Sequence, residues 1–510
     1  MAQRLRSAMS AEIILILGFN IMTIIIDSHP FSYEMENLCR LFYPRSKIKV
    51  VSEPCEDDTV VYTGIKKRPD GNCLMTVRLK AGTSEKASAL IIPAGTEERE
   101  VQRRMAVLLW KILSSALGCR PQWGILTGVR PLKLFGRLAS EKSEEFACGF
   151  FRDKFLVSPE KTDLARTAWN NQKNLLALSR PDYFSLYIAI PFCPTRCAYC
   201  SFVSSSVEKA FRLVPQYVDL LCDEIRRTAQ IAKDLRLHLQ TVYIGGGTPT
   251  VLSASQLANV IGAVNSNFDL SFCHEFTVEA GRPDTITEEK LKVMKSGGVT
   301  RISINPQTLN DEVLREIGRK HTSSQIIEAF GLARRLGFDD INMDIIAGLP
   351  KDSLESFLQT IHKVIQLSPE CVTVHTLSIK RAARLNHEKA APVSCSAETT
   401  ADMLRNAYSV LPQSGYHPYY LYRQSRMVGN LENTGWSKPG RESLYNVLIM
   451  EECQTILACG AGAVTKLKDP YSNRIERIFN FKYPYEYIGR YRELIARKNG
   501  VKEFYGTTKS

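Results

Sequence analysis

The sequence predicts an α/β protein built on a partial (β/α)6 barrel, with an α+β domain before it and a smaller domain after it. Three observations carry that prediction. From Leu186 onward, short β-branched runs alternate with amphipathic stretches, and such repeated βα units imply one parallel sheet under a helical layer. Residues suited to chemistry fall at the end of each predicted strand, on the rim where α/β sheets gather their sites. The alternation is absent from residues 1–178, and it ends near 400. The expected domains are therefore 1–178, 179–400 and 401–510.

In chain order, the apolar run Ile13–Ile26 is interrupted by Gly18, Asn20 and Thr23. It falls short of the ~20 residues a spanning helix needs. Asp27-Ser28-His29-Pro30 follows it in place of a small-residue cleavage site. It reads as a buried first strand with an upstream extension. Val60–Ile65 and Cys73–Leu79 flank Pro69-Asp70-Gly71-Asn72 and predict a hairpin. Val101, Met105, Leu108, Leu109 and Ile112 recur at helical spacing within Glu97–Leu117. Pro121–Pro131 reads as a structural turn or a docking loop. Ser143–Arg180 is helical and leads into the barrel.

The barrel strands are expected at Leu186–Ile190, Thr241–Ile244, Glu275–Glu279, Thr300–Asn305, Ile341–Ile346 and Cys371–Thr376. Helices are expected around Val214–Lys233, Ala254–Asn267, Glu288–Ser296, Ser323–Leu336 and Leu354–Gln366.

The first strand runs into Cys193, Cys197 and Cys200, a C-x3-C-x2-C spacing. Three thiolates on one loop can each bind one iron of a [4Fe–4S] cube and leave the fourth iron open to a small molecule. A structural zinc is the alternative, but it normally takes four ligands at tighter spacing, and the next cysteine is Cys222. The other strand ends supply Gly245-Gly246-Gly247-Thr248-Pro249, Glu279, Gln307, Asp344 and His375 to Ser378. Glycines let backbone approach a ligand, and the acidic and amide groups suit an amino group, a carboxylate and ribose hydroxyls. Arg319 could pair with a carboxylate through its guanidinium fork. Taken singly, each of these has a plain structural reading: a tight turn, a solvated carboxylate, a surface arginine, a strand-end histidine. Their shared rim favours a site.

The net charge of +13 suits nucleic acid, a membrane surface or a polyanionic small substrate. No lysine- and arginine-rich block dominates, which argues against a nucleic-acid tail. Fourteen unevenly spaced cysteines do not form a disulfide framework, and a thiolate-held cluster wants a reducing compartment, so the chain is expected in the cytoplasm without stable membrane insertion.

With Tyr199 just before the third cysteine, the loop resembles the signature of radical S-adenosylmethionine (SAM) enzymes. The resemblance sharpens with YIAIPFC, GGGTPT, FTVEAGRPD, RISINPQTLN and INMDIIAGLP, which are similar to the oxygen-independent coproporphyrinogen III dehydrogenase (oxidase) family. PYYLYRQ, GNLENTGW, MEECQTILAC and GAGAVTK extend the similarity through the tail. With PQWGILTGVRP, they point to the subgroup carrying an extra amino-terminal domain.

The resemblance implies Cys193, Cys197 and Cys200 as ligands of a catalytic [4Fe–4S] cluster. It implies Tyr187, Tyr199, Gly246, Gly247, Thr248, Glu279, Gln307, Arg319 and Asp344 as residues around SAM, with Ser378 as a backbone contact. It also implies oxidative decarboxylation of the propionates of coproporphyrinogen III to vinyl groups, giving protoporphyrinogen IX in heme biosynthesis. Reduction would come from a donor such as flavodoxin or ferredoxin. The chain departs from the best-described members at Ala189, where they carry His, and at Phe202, where they carry a fourth cysteine. A heme chaperone of the same family, or another radical SAM reaction on a tetrapyrrole, therefore stays open. For a substrate with four propionates, the expected cations are Arg381, Arg384, Arg423, Arg426, Lys438 and Arg441, interleaved with Tyr419, Tyr420, Tyr422, Trp436 and Tyr445.

Overall fold

The computed structural model describes residues 21–44, 46–200, 205–206, 210–379, 395–424 and 427–507. The chain divides into two compact units: Met1–Arg166 with Gly429–Leu431, and Thr167–Val428 with Glu432–Ser510.

In the first unit, β1 (Ile21–Asp27), β2 (Lys47–Val51), β3 (Thr59–Lys67), β4 (Cys73–Ala81) and β5 (Ser84–Ile92) form one sheet in the order β2-β1-β3-β4-β5. β1 runs parallel to both neighbours, and α1 (Ser32–Phe42) makes the crossover from β1 to β2. β3 and β4 are the expected hairpin, closed with Lys67 opposite Cys73. Its turn works because Gly71 takes φ +79° and the Asp70 carboxylate accepts the Asn72 N–H at 3.0 Å. Ile24, Val61, Met75 and Val77 of the sheet pack with Met35 and Leu38 of α1 and with Met105, Leu109 and Leu113 of α2 (Glu98–Leu117). The part of the first apolar run before Ile21 lies outside the described residues.

The second unit contains the barrel. β6 (Tyr183–Ile190), β7 (His238–Gly246), β8 (Glu275–Glu279), β9 (Arg301–Ser303), β10 (Ile341–Ala347) and β11 (Cys371–Thr376) are the six predicted strands. All pair in parallel with their sequence neighbours. The connecting helices α3 (Val214–Asp234), α4 (Ala254–Asn267), α5 (Glu288–Ser296), α6 (Ser323–Arg335) and α7 (Leu354–Leu367) begin at the predicted residues. Ser253 and Gln256 close α4 with a capping box, as do Thr322 and Gln325 at α6, so two helix starts are fixed by side chains that satisfy otherwise unpaired N–H groups. Apart from Ser185, β6 is built of apolar and aromatic residues and is buried on both faces, as a central parallel strand requires.

Residues beyond 400 do not stand apart from this sheet. β12 (His417–Tyr422) and β13 (Asn433–Ser437) extend it antiparallel beyond β11. β14 (Thr455–Cys459) adds in parallel to the free edge of β6, followed by β15 (Val464–Lys468) and β16 (Ile475–Phe479). The eleven strands run β12-β13-β11-β10-β9-β8-β7-β6-β14-β15-β16. A buried ion pair secures the late addition. Glu224 of α3 meets Lys498 at 2.9 Å and also accepts from Tyr487, Asn480 and the Gly460 N–H at 2.6–2.8 Å. Among the described residues no helix is long and apolar enough to cross a membrane.

Candidate active site

The carboxyl ends of the barrel strands open on a cavity of about 360 Å³. Its wall takes Cys193, Cys197, Tyr199 and Cys200 from the loop after β6, and Gly246, Gly247 and Thr248 from the end of β7. Glu279, Gln307, Arg319, Asp344 and Ser378 complete the predicted set on that wall. The structure thus brings eleven of the twelve principal predicted residues, and Ser378, to one cavity. Tyr187 stands behind the wall: its ring stacks on Tyr243 at 6.2 Å, and Tyr243 stacks on Tyr445 at 4.5 Å.

The cysteine loop is pinned on two sides. The Ala198 N–H donates to the Ile317 carbonyl at 3.0 Å, and the Thr195 hydroxyl donates to the Gly318 carbonyl at 3.1 Å. On the other side, the Gly247 and Thr248 N–H groups donate to the Ile190 and Phe192 carbonyls at 2.8 and 2.7 Å. A Cβ at Gly247 would sit 2.5 Å from the Phe192 oxygen, so the glycine permits this close approach. Gly246, at φ +110°, makes the turn that a side chain would oppose.

Hydrogen-bond donors reach the sulfurs. The Thr248 hydroxyl lies 3.7 Å from Cys193 Sγ, and Arg282 Nη1 lies 3.9 Å from Cys197 Sγ. Arg282 is 3% exposed and grips both Asp284 oxygens at 3.0 Å, while Nη1 and Nη2 each donate to the Thr195 hydroxyl at 3.2 Å. The Asp284 carboxyl is held well below its ordinary value: burial pushes it upward, but His321 and Arg282 outweigh that. Hydrogen-bond donors aimed at thiolates are what a cluster-binding loop needs to stabilise anionic sulfur. Among the described residues, no three His, Cys, Asp or Glu side chains converge on a point fit for a single ion. A cube does not ask for that, since each thiolate takes its own corner.

The carboxylates divide by environment. Glu279 receives the Tyr243 hydroxyl at 2.7 Å, yet burial and the neighbouring Asp344 raise its pKa from 4.5 to about 7. Asp344 is also pushed up by burial, but His375 (3.6 Å) and the Asn342 amide (2.8 Å) hold its pKa below the ordinary value. Gln307 adopts φ +65° and bridges two strand ends, donating its N–H to the Asp344 carbonyl and accepting from the Ile346 N–H, both at 2.9 Å. Arg319 is buried and donates to the Asn305 and Gly281 carbonyls at 2.7 and 3.2 Å and to the Tyr199 hydroxyl at 3.4 Å. Its Nε has no partner among the described residues, which leaves a buried donor for a ligand. Anionic acceptors, a spare cationic donor and a glycine cradle fit a ligand carrying ammonium, carboxylate and hydroxyl groups, as SAM does.

Of the expected propionate-binding cations, Arg423, Lys438 and Arg441 are not at this rim. Arg423 is 3% exposed and absent from the cavity wall, its pKa lowered to about 10 by burial against the pull of Glu432. Lys438 bonds to the Ser368 carbonyl, and the Arg441 carbonyl accepts from Arg301 at 2.8 Å, which puts both at the amino ends of the strands, opposite the cavity. Tyr422, the last residue of β12, and Gln424 line the cavity, whereas Arg423 between them does not. Tyr420 and Tyr422 do line the cavity, whereas Trp436 and Tyr419 are buried elsewhere. Arg381, Arg384 and Arg426 lie outside the described residues. Sequence reasoning missed Arg282 and Asn305. The Gly281-Arg282-Pro283-Asp284 run, just past a strand end, was the available signal.

Residues 187–364 match the Radical SAM superfamily. The chain is 36% identical over 476 residues to the oxygen-independent coproporphyrinogen-III oxidase-like protein HemZ of Bacillus subtilis (strain 168), covering 91% of this chain and 94% of that one. It is 32% identical over 288 residues to the heme chaperone HemW of Lactococcus lactis subsp. lactis (strain IL1403), covering 56% and 70%. Among solved structures, coproporphyrinogen III oxidase (HemN) from Escherichia coli superposes with TM-score 0.51 at 26% identity, over 63% of this chain and 71% of that one. A [4Fe–4S] cluster and SAM are the cofactors that go with this superfamily, and the donor set described above fits both. The chain belongs to the radical SAM family of oxygen-independent coproporphyrinogen III oxidase-like proteins.

Proposed function

We propose that the chain oxidatively decarboxylates propionates of coproporphyrinogen III to vinyl groups, giving protoporphyrinogen IX, in the cytoplasm and without oxygen. The observation that carries this reading is that the three-cysteine loop shares one cavity with the near-parallel rings of Tyr420 and Tyr422, which stand 6.2 Å apart at 12°. When bound, cluster and SAM supply the 5′-deoxyadenosyl radical that takes a hydrogen atom from a propionate, after which carbon dioxide and an electron leave.

This chain's residues do the placing. Cys193, Cys197 and Cys200 would each hold one iron of the cluster. Glu279 and Asp344 accept from the ammonium and ribose hydroxyls of SAM, Gln307 and Arg319 donate to its oxygens, and Gly246–Thr248 offer backbone groups at close range. The cavity volume suits SAM rather than a whole macrocycle, so the tetrapyrrole engages at the mouth and presents one propionate at a time. Tyr420 and Tyr422 give its pyrrole rings an apolar wall that excludes water from the reacting carbon.

Two observations favour the chaperone alternative: Phe202 stands where the best-described members carry a fourth cysteine, and the chain is 32% identical to a heme chaperone over 288 residues. Anaerobic incubation with coproporphyrinogen III, SAM and a reductant separates the readings. Stoichiometric loss of carbon dioxide with protoporphyrinogen IX as product supports the first; tight heme binding without turnover supports the second.

A further inference from the structure

Arg282 lies just past β8, and its guanidinium works in two directions. Asp284 takes Nε and Nη2 at 3.0 Å each, a bidentate pair within the same turn. Nη1 and Nη2 also cross the rim to the cysteine loop, where both donate to the Thr195 hydroxyl. Nη1 stands 3.5 Å from the Thr195 carbonyl oxygen and 3.9 Å from Cys197 Sγ. The Arg282 side chain is 4% exposed and that of Asp284 is 22% exposed. Among the described residues the Asp284 carboxylate meets Arg282 and, at 3.5 Å, His321, and it does not meet the cysteine loop. The cation of the pair is therefore the end that approaches the thiolate.

The other charges around this pair are few. Arg319 also reaches Cys197, and its remaining partners are two carbonyls and the Tyr199 hydroxyl, all neutral. Arg196, on the cysteine loop itself, is exposed to a solvent that screens it. His321 is buried, and burial holds its pKa below the ordinary value against the pull of Asp284, so it is neutral near pH 8. A charge held away from water acts on its neighbour several times more strongly than one in solvent. Hydrogen bonds to the sulfurs and the local net charge are among the factors that set an iron–sulfur potential. Reduction adds one negative charge to a cluster, so a fixed cation favours the reduced form and a fixed anion opposes it.

We infer that the Arg282–Asp284 pair sets the reduction potential of the cluster. Arg282 is a positioning residue: it holds Thr195 and places its charge against Cys197, while Asp284 orients the guanidinium and offsets part of that charge. The inference rests on the assignment of Cys193, Cys197 and Cys200 as cluster ligands and is independent of the tetrapyrrole reading. It has a consequence that a purely structural clamp lacks. Removing Arg282 leaves the Asp284 anion uncompensated and lowers the potential, whereas removing Asp284 leaves the cation uncompensated and raises it.

The test is a dye-mediated redox titration of the reconstituted full chain at about pH 8 without SAM. Electron paramagnetic resonance of the reduced cluster is the readout, and iron content is the control. At the parent's midpoint, Arg282→Met should lower the ratio of reduced to oxidised cluster about tenfold, which is about 59 mV for a one-electron couple. Asp284→Asn should raise that ratio by about threefold, less because its side chain is partly exposed. Arg282→Lys keeps the charge and loses the fork, so its midpoint should fall between those of the parent and Arg282→Met. Should Arg282→Met hold no iron, the rise in Asp284→Asn and the fall in Arg282→Lys decide the matter together. Unmoved midpoints in variants with full iron content overturn the proposal, as do shifts of the same sign on removing Arg282 and on removing Asp284. A parent chain that takes up no [4Fe–4S] cluster would instead remove the assignment of the three cysteines, and the proposal with it.

Discussion

At the scale of single residues, Glu279 is the most informative group on the wall. An acceptor for an ammonium must be ionised, and burial with Asp344 nearby holds the Glu279 pKa at about 7 in the ligand-free protein. SAM affinity should therefore fall by about tenfold per pH unit below 7, and Glu279→Gln should flatten that dependence; calorimetry across pH 5.5–8 checks both. The sign for stability is the reverse. A carboxyl raised from 4.5 to about 7 favours the fold below 4.5, and that contribution is lost as pH rises through 7. Asp344 behaves differently, since its lowered pKa keeps it ionised over this range. Asp344→Ala should cost about 1–3 kcal/mol of SAM binding while iron is retained. Cys197→Ala should abolish iron retention, and Cys222→Ala should not. The site was legible in sequence wherever a residue type and a strand end coincided. Arg282 was not, because its importance comes from reaching back to Thr195 and Cys197 across the rim. Arg423 misled because an exposed-looking Tyr-Arg-Gln run follows the end of β12 with its arginine buried.

At the scale of elements, the glycine turn after β7 and the cysteine loop after β6 act as one unit, joined by two backbone hydrogen bonds. Gly247→Ala would force a Cβ against the Phe192 carbonyl, one residue before the first cysteine. Overpacking of this kind costs about 1–3 kcal/mol, and the loop is the part able to give. The variant should lose iron content and SAM affinity together, with far-ultraviolet circular dichroism unchanged. A variant with full iron content would show that the turn does not set the loop. The barrel elements were legible because parallel strands buried on both faces read as continuous apolar runs, and because Ser253 and Thr322 mark helix starts with capping residues. β14 was not legible. Its five residues, Thr455–Cys459, are a short apolar run, and their partner β6 lies some 270 positions earlier.

At the scale of the whole molecule, that distant pairing makes the last sixty residues part of the barrel. β14 covers the edge that an open six-stranded sheet would leave at β6, and the Glu224–Lys498 pair locks it from within. Removing one partner of a buried ion pair costs about 3–5 kcal/mol. Lys498→Met should therefore lower the midpoint of thermal unfolding and weaken SAM binding through β6, whereas Lys502→Met, whose partner Asp234 is exposed, should do neither. The central claim is that a hydrogen atom leaves a tetrapyrrole propionate at the cavity behind the three-cysteine loop. Coproporphyrinogen III carrying deuterium on the propionate carbons next to the ring tests it most directly, with 5′-deoxyadenosine recovered after anaerobic turnover and analysed by mass. The account predicts one deuterium per deoxyadenosine formed and one carbon dioxide per vinyl group; deoxyadenosine free of deuterium, formed at the same rate with or without the substrate, would contradict it.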